Sequence, residues 1–145
     1  MIAALAFPVI LSAILSSASF AHAPAPACAG PMVRQEDGDK LEELMKDMKK
    51  HLKGAKKTVG DEGKKDECAK HFTDLGDDAA ECKKCPPETA DTEDKKKEYS
   101  EMMDKVTAAS KDGAKAARDG KTDDAKAAIK EIEKLMKEGH KKFTK

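Results

Sequence analysis

Apolar side chains recur every three or four residues in four separate segments of the chain. This spacing gathers the apolar side chains on one face of an α-helix, which is the face that packs into a core. The pattern predicts helix 1 at about residues 37–59, helix 2 at 66–82, helix 3 at 93–118 and helix 4 at 122–145. No segment shows the alternation of apolar and polar residues that is typical of a β-strand.

Glycine and proline mark where these helices are expected to end. Gly60 follows helix 1, Pro86 and Pro87 follow helix 2, and Gly120 follows helix 3. Thr92 is expected to cap helix 3, because a threonine hydroxyl can accept a hydrogen bond from an unpaired backbone N–H. The connections between helices 1 and 2 and between helices 3 and 4 are short, so neighbouring helices should be antiparallel. The sequence therefore predicts an all-α, up-down-up-down four-helix bundle.

The start of the chain has a different character. An apolar run without Lys, Arg, Asp or Glu ends in the tripeptide Ala-His-Ala at 21–23, which is typical of a signal-peptide cleavage site. We therefore expect a secretory signal peptide at 1–23, an irregular Pro- and Gly-rich lead-in at 24–36 and the helical domain at 37–145. Export would leave the domain without a membrane segment, in a compartment that permits disulfide bonds.

Composition narrows the possible functions. The 28 basic and 28 acidic side chains balance, which argues against nucleic acid as a partner. No nucleophile–base arrangement or phosphate-binding loop is present, so we expect a binding protein and not an enzyme. The size after cleavage fits one domain, and we expect a monomer.

The predicted topology brings the start of helix 1 and the end of helix 4 to the same end of the bundle, which we call the proximal end. Met45 and His140 lie there at similar depth on neighbouring helices. A thioether and an imidazole are suitable axial ligands for haem iron, and this pair raises the reduction potential. The apolar walls of such a site could come from five residues near the same end: Leu41, Met48, Tyr99, Met103 and Phe143.

Simpler interpretations exist for both candidate ligands. Methionine on an apolar helix face usually fills gaps in a core, so Met45 could be an ordinary packing residue. A histidine near the end of a lysine-rich helix is usually solvated, so His140 could be a surface residue.

Residues from about 40 to 145 resemble cytochrome b562, a family of periplasmic four-helix haem proteins. The segment LEELM is similar to the opening helix motif of that family and ends on Met45, at the position of its Met ligand. His140 stands at the axial-His position of a longer match, ARDGKTDDAKAAIKEIEKLMKEGHKKFTK, which covers the last turn and helix. The resemblance implies non-covalent haem b, with its iron held by Met45 and His140, and single-electron transfer to transient redox partner proteins.

Further details of the resemblance concern the surroundings of the haem. The double proline and Tyr99 fall where the family has them, which implies that Pro86 lies beside the cofactor. Two residues depart from the pattern. Gly139 stands where the family can carry an aromatic residue, and Met136 stands where a basic residue can help to hold a haem propionate. Nearby lysines would then have to supply that anchoring.

The cysteines are not explained by the resemblance. Cys82 and Cys85 form a CxxC motif, but Pro86 follows where covalent haem attachment needs histidine. They could form a disulfide with each other, one of them could pair with Cys28, or they could remain free thiols. Cys68 cannot pair with Cys82, since the two lie about 21 Å apart along one helix and a disulfide needs about 7 Å or less.

Two other functions remain open from the sequence alone. A haem-free bundle could bind a soft metal such as copper or zinc through Cys and His. A bundle without a cofactor could serve a structural or protein-binding role.

Overall fold

The structure, a computed structural model, describes residues 32–143, with side chains from residue 38 onward. This part of the chain forms four α-helices and no β-strand: α1 (Met32–Thr58), α2 (Lys65–Cys82), α3 (Glu93–Arg118) and α4 (Thr122–Phe143). A short 3-10 turn, Glu62–Lys64, joins α1 to α2. The predicted all-α four-helix bundle is confirmed, and the expected signal peptide at 1–23 lies outside the described residues.

Helix α1 begins at Met32, which is earlier than the sequence pattern predicted. The expectation of an irregular lead-in is therefore wrong for residues 32–36. This stretch reads MVRQE and contains no proline or glycine, and Met, Arg, Gln and Glu all tolerate a helix well. The prolines and glycines that suggested an irregular segment all come before it.

The helix ends follow the predicted turn chemistry. Gly60 and Gly120 have φ values of +93° and +71°, a left-handed conformation that glycine adopts at little cost. The Thr92 hydroxyl accepts a hydrogen bond from the backbone N–H of Lys95 at 3.3 Å, which confirms the predicted cap of α3. These local signals place the helices where the bundle needs them.

The bundle is tightly closed along its α2–α3 side. Phe72 on α2 is completely buried, and a Cβ atom added to Gly113 on α3 would lie only 2.4 Å from its ring. Helices α1 and α4, by contrast, make very few contacts with each other, although each packs along its sequence neighbour. The fold is therefore closed on one side and open between its first and last helices.

None of the described helices is long and apolar enough to cross a membrane.

Candidate functional site

A cavity of about 800 Å³ lies between α1 and α4 at the proximal end and opens to solvent. Its volume falls within the range of about 300–1,000 Å³ that is typical of small-molecule and cofactor sites. Helices α1 and α4 form its walls, and α2 and α3 form its floor. Most of the lining is apolar: Leu41, Met45, Met48, Leu52, Cys82, Pro87, Tyr99, Met103, Leu135, Met136 and Phe143.

The structure brings most of the predicted site residues together at this cavity. The lining includes Leu41, Met45, Met48, Tyr99, Met103, His140 and Phe143. Pro86 is the exception among the predicted residues, because its side chain is exposed and Pro87 faces the cavity instead. The sequence prediction also missed several lining residues. Leu52 and Leu135 continue the apolar stripes of α1 and α4, and this periodicity could have identified them.

Met45 and His140 line the cavity from different helices. Met45 lies on α1 and is half-buried. His140 lies in the last turn of α4, lines the cavity and is exposed. Its side chain stays accessible to water because the cavity opens to solvent. Their roles as ligands remain a prediction.

Tyr99 holds the floor of the cavity in place. Its hydroxyl donates a hydrogen bond to the backbone carbonyl of Cys82 at 3.1 Å, and its ring meets Phe143 edge-on with centroids 5.4 Å apart. Burial raises the pKa of the Tyr99 hydroxyl far above its usual range, so the group stays a neutral donor. The Thr89 hydroxyl donates to the carbonyl of Phe143 at 2.6 Å. Together these contacts tie the end of α4 to α2, α3 and the loop between them.

Gly139 is a point of close approach between α4 and α3. A Cβ atom at this position would lie 2.7 Å from Sδ of Met102, a buried side chain. A larger residue here would therefore require Met102 to move. Met136, one turn earlier on α4, is half-buried and lines the cavity. Gly139 therefore packs against α3, whereas Met136 lies on the cavity wall.

The cysteines of the described chain are free thiols. Cys68, Cys82 and Cys85 are all free and buried, so no disulfide joins Cys82 to Cys85. Cys28 lies outside the described residues. The Cys82 thiol donates to Sδ of Met48 at 3.7 Å. Burial raises the pKa of Cys82 to about 12, which disfavours the thiolate that metal binding requires. Within residues 32–143, no group of three or more His, Cys, Asp or Glu side chains is placed to hold a metal ion.

Charged residues surround the mouth of the cavity. Glu42 forms an ion pair with Lys46 at 2.8 Å, and the hydrogen bond from this ammonium holds the pKa of Glu42 below its usual value. Glu133 on α4 pairs with Lys56 on α1, which joins the two walls beyond the cavity. The polar groups thus lie at the rim, where water can solvate them, while the interior remains apolar.

Comparison with known proteins gives one match. The family model of cytochrome b562 matches residues 40–144, which is most of the chain. No curated protein and no solved structure matches the chain at a significant level.

Proposed function

Because the chain belongs to the cytochrome b562 family, we propose that it binds haem b non-covalently in the α1–α4 cavity and carries single electrons in the periplasm. The family consists of haem-binding electron-transfer proteins built on a four-helix bundle. The proposal for this chain adds the ligands, the type of haem and the compartment.

One observation carries the proposal: a thioether and an imidazole line the same cavity from facing helices. Met45 comes from α1 and His140 from α4. Both are good ligands for haem iron, and they are the only such pair that the family resemblance predicts.

The cavity also suits the rest of the cofactor. Its lining is mainly apolar, its volume of about 800 Å³ is appropriate for a large planar ligand, and it opens to solvent on one side. An apolar ring system would be buried against the leucines and methionines of the walls, and charged groups at its edge could remain at the mouth.

The protein residues have separate tasks in this function. When bound, haem iron supplies a one-electron change between its ferric and ferrous states. Met45 and His140 would hold the iron, and ligation by both side chains would favour electron transfer over oxygen chemistry. The apolar walls would limit the access of water to the bound haem, and the thioether would favour its reduced state.

The open side of the cavity determines where electrons can leave. The mouth between α1 and α4 faces solvent near His140, so a partner could approach the edge of the haem there. A small and transient contact is sufficient for such exchange, as in other redox encounters.

The test is a haem titration of the full chain, followed by its absorption spectrum. We expect one haem per chain and a Soret band that changes in Met45→Leu and in His140→Ala. Met48→Leu is the matched control, because Met48 lies on the same helix and lines the same cavity. Both leucine substitutions keep an apolar side chain of similar size, but only the one at residue 45 removes a proposed ligand. Absence of haem uptake, or identical spectra for the two leucine variants, would refute the proposal.

A further inference from the structure

Three lysines lie at the mouth of the cavity and form no ion pair within residues 38–143. Lys49 on α1 and Lys134 and Lys137 on α4 contribute to its lining, and all three are exposed. None of them forms an ion pair with a described residue.

The acidic residues at the rim do not neutralise this charge. Glu42 and Glu133 are the carboxylates that line the cavity. Each is already paired with a lysine outside the lining, Glu42 with Lys46 and Glu133 with Lys56. Three positive charges therefore remain at the mouth after the pairs are accounted for.

These three charges lie on one side of the proposed ligand pair. Lys49 follows Met45 by one turn of α1, a rise of about 6 Å toward the middle of the bundle. Lys134 and Lys137 precede His140 on α4, which runs in the opposite direction, so they too are displaced toward the middle of the bundle. The antiparallel helices thus bring the three ammonium groups to the same side of the opening.

We propose that Lys49, Lys134 and Lys137 bind the two propionate groups of haem and so determine which edge of the cofactor faces the mouth. This inference rests on the proposed function. Haem is apolar except for two carboxylates on one edge, and desolvating those carboxylates without a partner would be costly. Cations at the rim allow the apolar part to enter while the charged edge stays beside them in water.

The position of Met136 supports this assignment. Met136 is apolar and lines the cavity wall, so it supplies no charge to a propionate. The cations that could do so lie two residues before it and one residue after it, at Lys134 and Lys137. Because these two side chains are exposed, a carboxylate can reach them without breaking an ion pair within the described chain.

The experiment compares haem with haem dimethyl ester, in which both propionates are capped and uncharged. The native full chain should bind haem more tightly than the ester. In the triple variant K49Q/K134Q/K137Q, we expect haem affinity to fall on the order of 10-fold, as for three exposed ion pairs, while ester affinity is unchanged. Raising the ionic strength should reduce the preference of the native protein for haem in the same way.

The matched control is the triple variant K53Q/K126Q/K130Q. Its lysines lie on the same two helices, are exposed and make no ion pair with described residues, but they do not line the cavity. It removes the same net charge, so it should keep the native preference for haem. Thermal melts of both apo variants verify that neither substitution set unfolds the bundle.

Two results would overturn the inference. Haem affinity could fall equally in both triple variants, or the cavity variant could lose haem and the ester to the same extent. Failure of the native chain to bind either compound is a separate result, since it would refute the proposed function itself and the inference with it.

Discussion

Substitution of Gly113 by alanine tests how tightly the α2–α3 side of the bundle is closed. A Cβ atom at this position would lie 2.4 to 2.8 Å from three atoms of the Phe72 ring. Ordinary contacts between carbon atoms are about 3.5–4.0 Å, so the ring would have to move by about 1 Å. Phe72 has no solvent exposure, which leaves it no open space to move into.

The expected magnitude combines two opposing effects. Glycine to alanine inside a helix normally stabilises a protein by about 1 kcal/mol. Overpacking a rigid core costs about 1–3 kcal/mol, and the short distances here favour the upper end. The net loss should be about 2 kcal/mol, or about 8 °C in Tm at about 4 °C per kcal/mol for a domain of this size.

Gly38→Ala provides the matched control for this substitution. Gly38 also lies within a helix, but an added Cβ would meet nothing within 4 Å, so only the gain in helix propensity remains. Urea and thermal unfolding monitored by circular dichroism should show a lower Tm for Gly113→Ala and an equal or higher Tm for Gly38→Ala. A Gly113→Ala variant as stable as the native protein would refute the close packing of Phe72 against α3.

Three further predictions concern Tyr99 and Cys82 at the floor of the cavity and Asp78 on α2. Tyr99→Phe should lower the free energy of unfolding by about 1 kcal/mol in urea titrations. The loss stays small because the Cys82 carbonyl keeps its hydrogen bond from the Cys85 N–H at 3.0 Å. A loss of several kcal/mol would contradict this reasoning. Cys82, whose pKa burial raises to about 12, should resist alkylation at pH 8 in the folded protein and react once urea unfolds it, as peptide mass mapping can show. Burial raises the pKa of Asp78 above its ordinary value of 3.8. As pH rises from 3.8 through the folded-state pKa, the free energy of unfolding of the native protein should therefore fall relative to that of Asp78→Asn. A constant difference between the two proteins in urea titrations across that range would disprove the shift.

Local patterns predicted the helices well. The repeat of apolar residues every three or four positions located α2, α3 and α4, because that spacing directly specifies a buried helix face. Thr92 was identifiable as a cap because capping requires one side chain and the N–H groups next to it. The early start of α1 at Met32 was missed because neighbouring prolines and glycines outweighed the four helix-tolerant residues within 32–36.

The candidate site depended on packing between distant segments, which local patterns describe less completely. Topology could place Met45 and His140 at one end, but it could not show that α1 and α4 separate there and leave His140 exposed. The orientation of side chains in the loop after α2 was equally inaccessible, so Pro86 was predicted where Pro87 lies. The pairing of Glu133 on α4 with Lys56 on α1 also required the packed structure, whereas Glu42 and Lys46 form a local i,i+4 pair.

The reduction potential of the haem-loaded protein tests the central claim most directly. A redox titration of the native chain should show a reversible one-electron transition. Met45→His replaces the thioether with a second imidazole, and it should keep haem bound while lowering the potential, since Met/His ligation raises it. The same substitution at Met48, on the same helix and the same cavity, should lower the potential less, because it leaves both proposed ligands in place. An equal potential for Met45→His and native protein would contradict ligation by Met45.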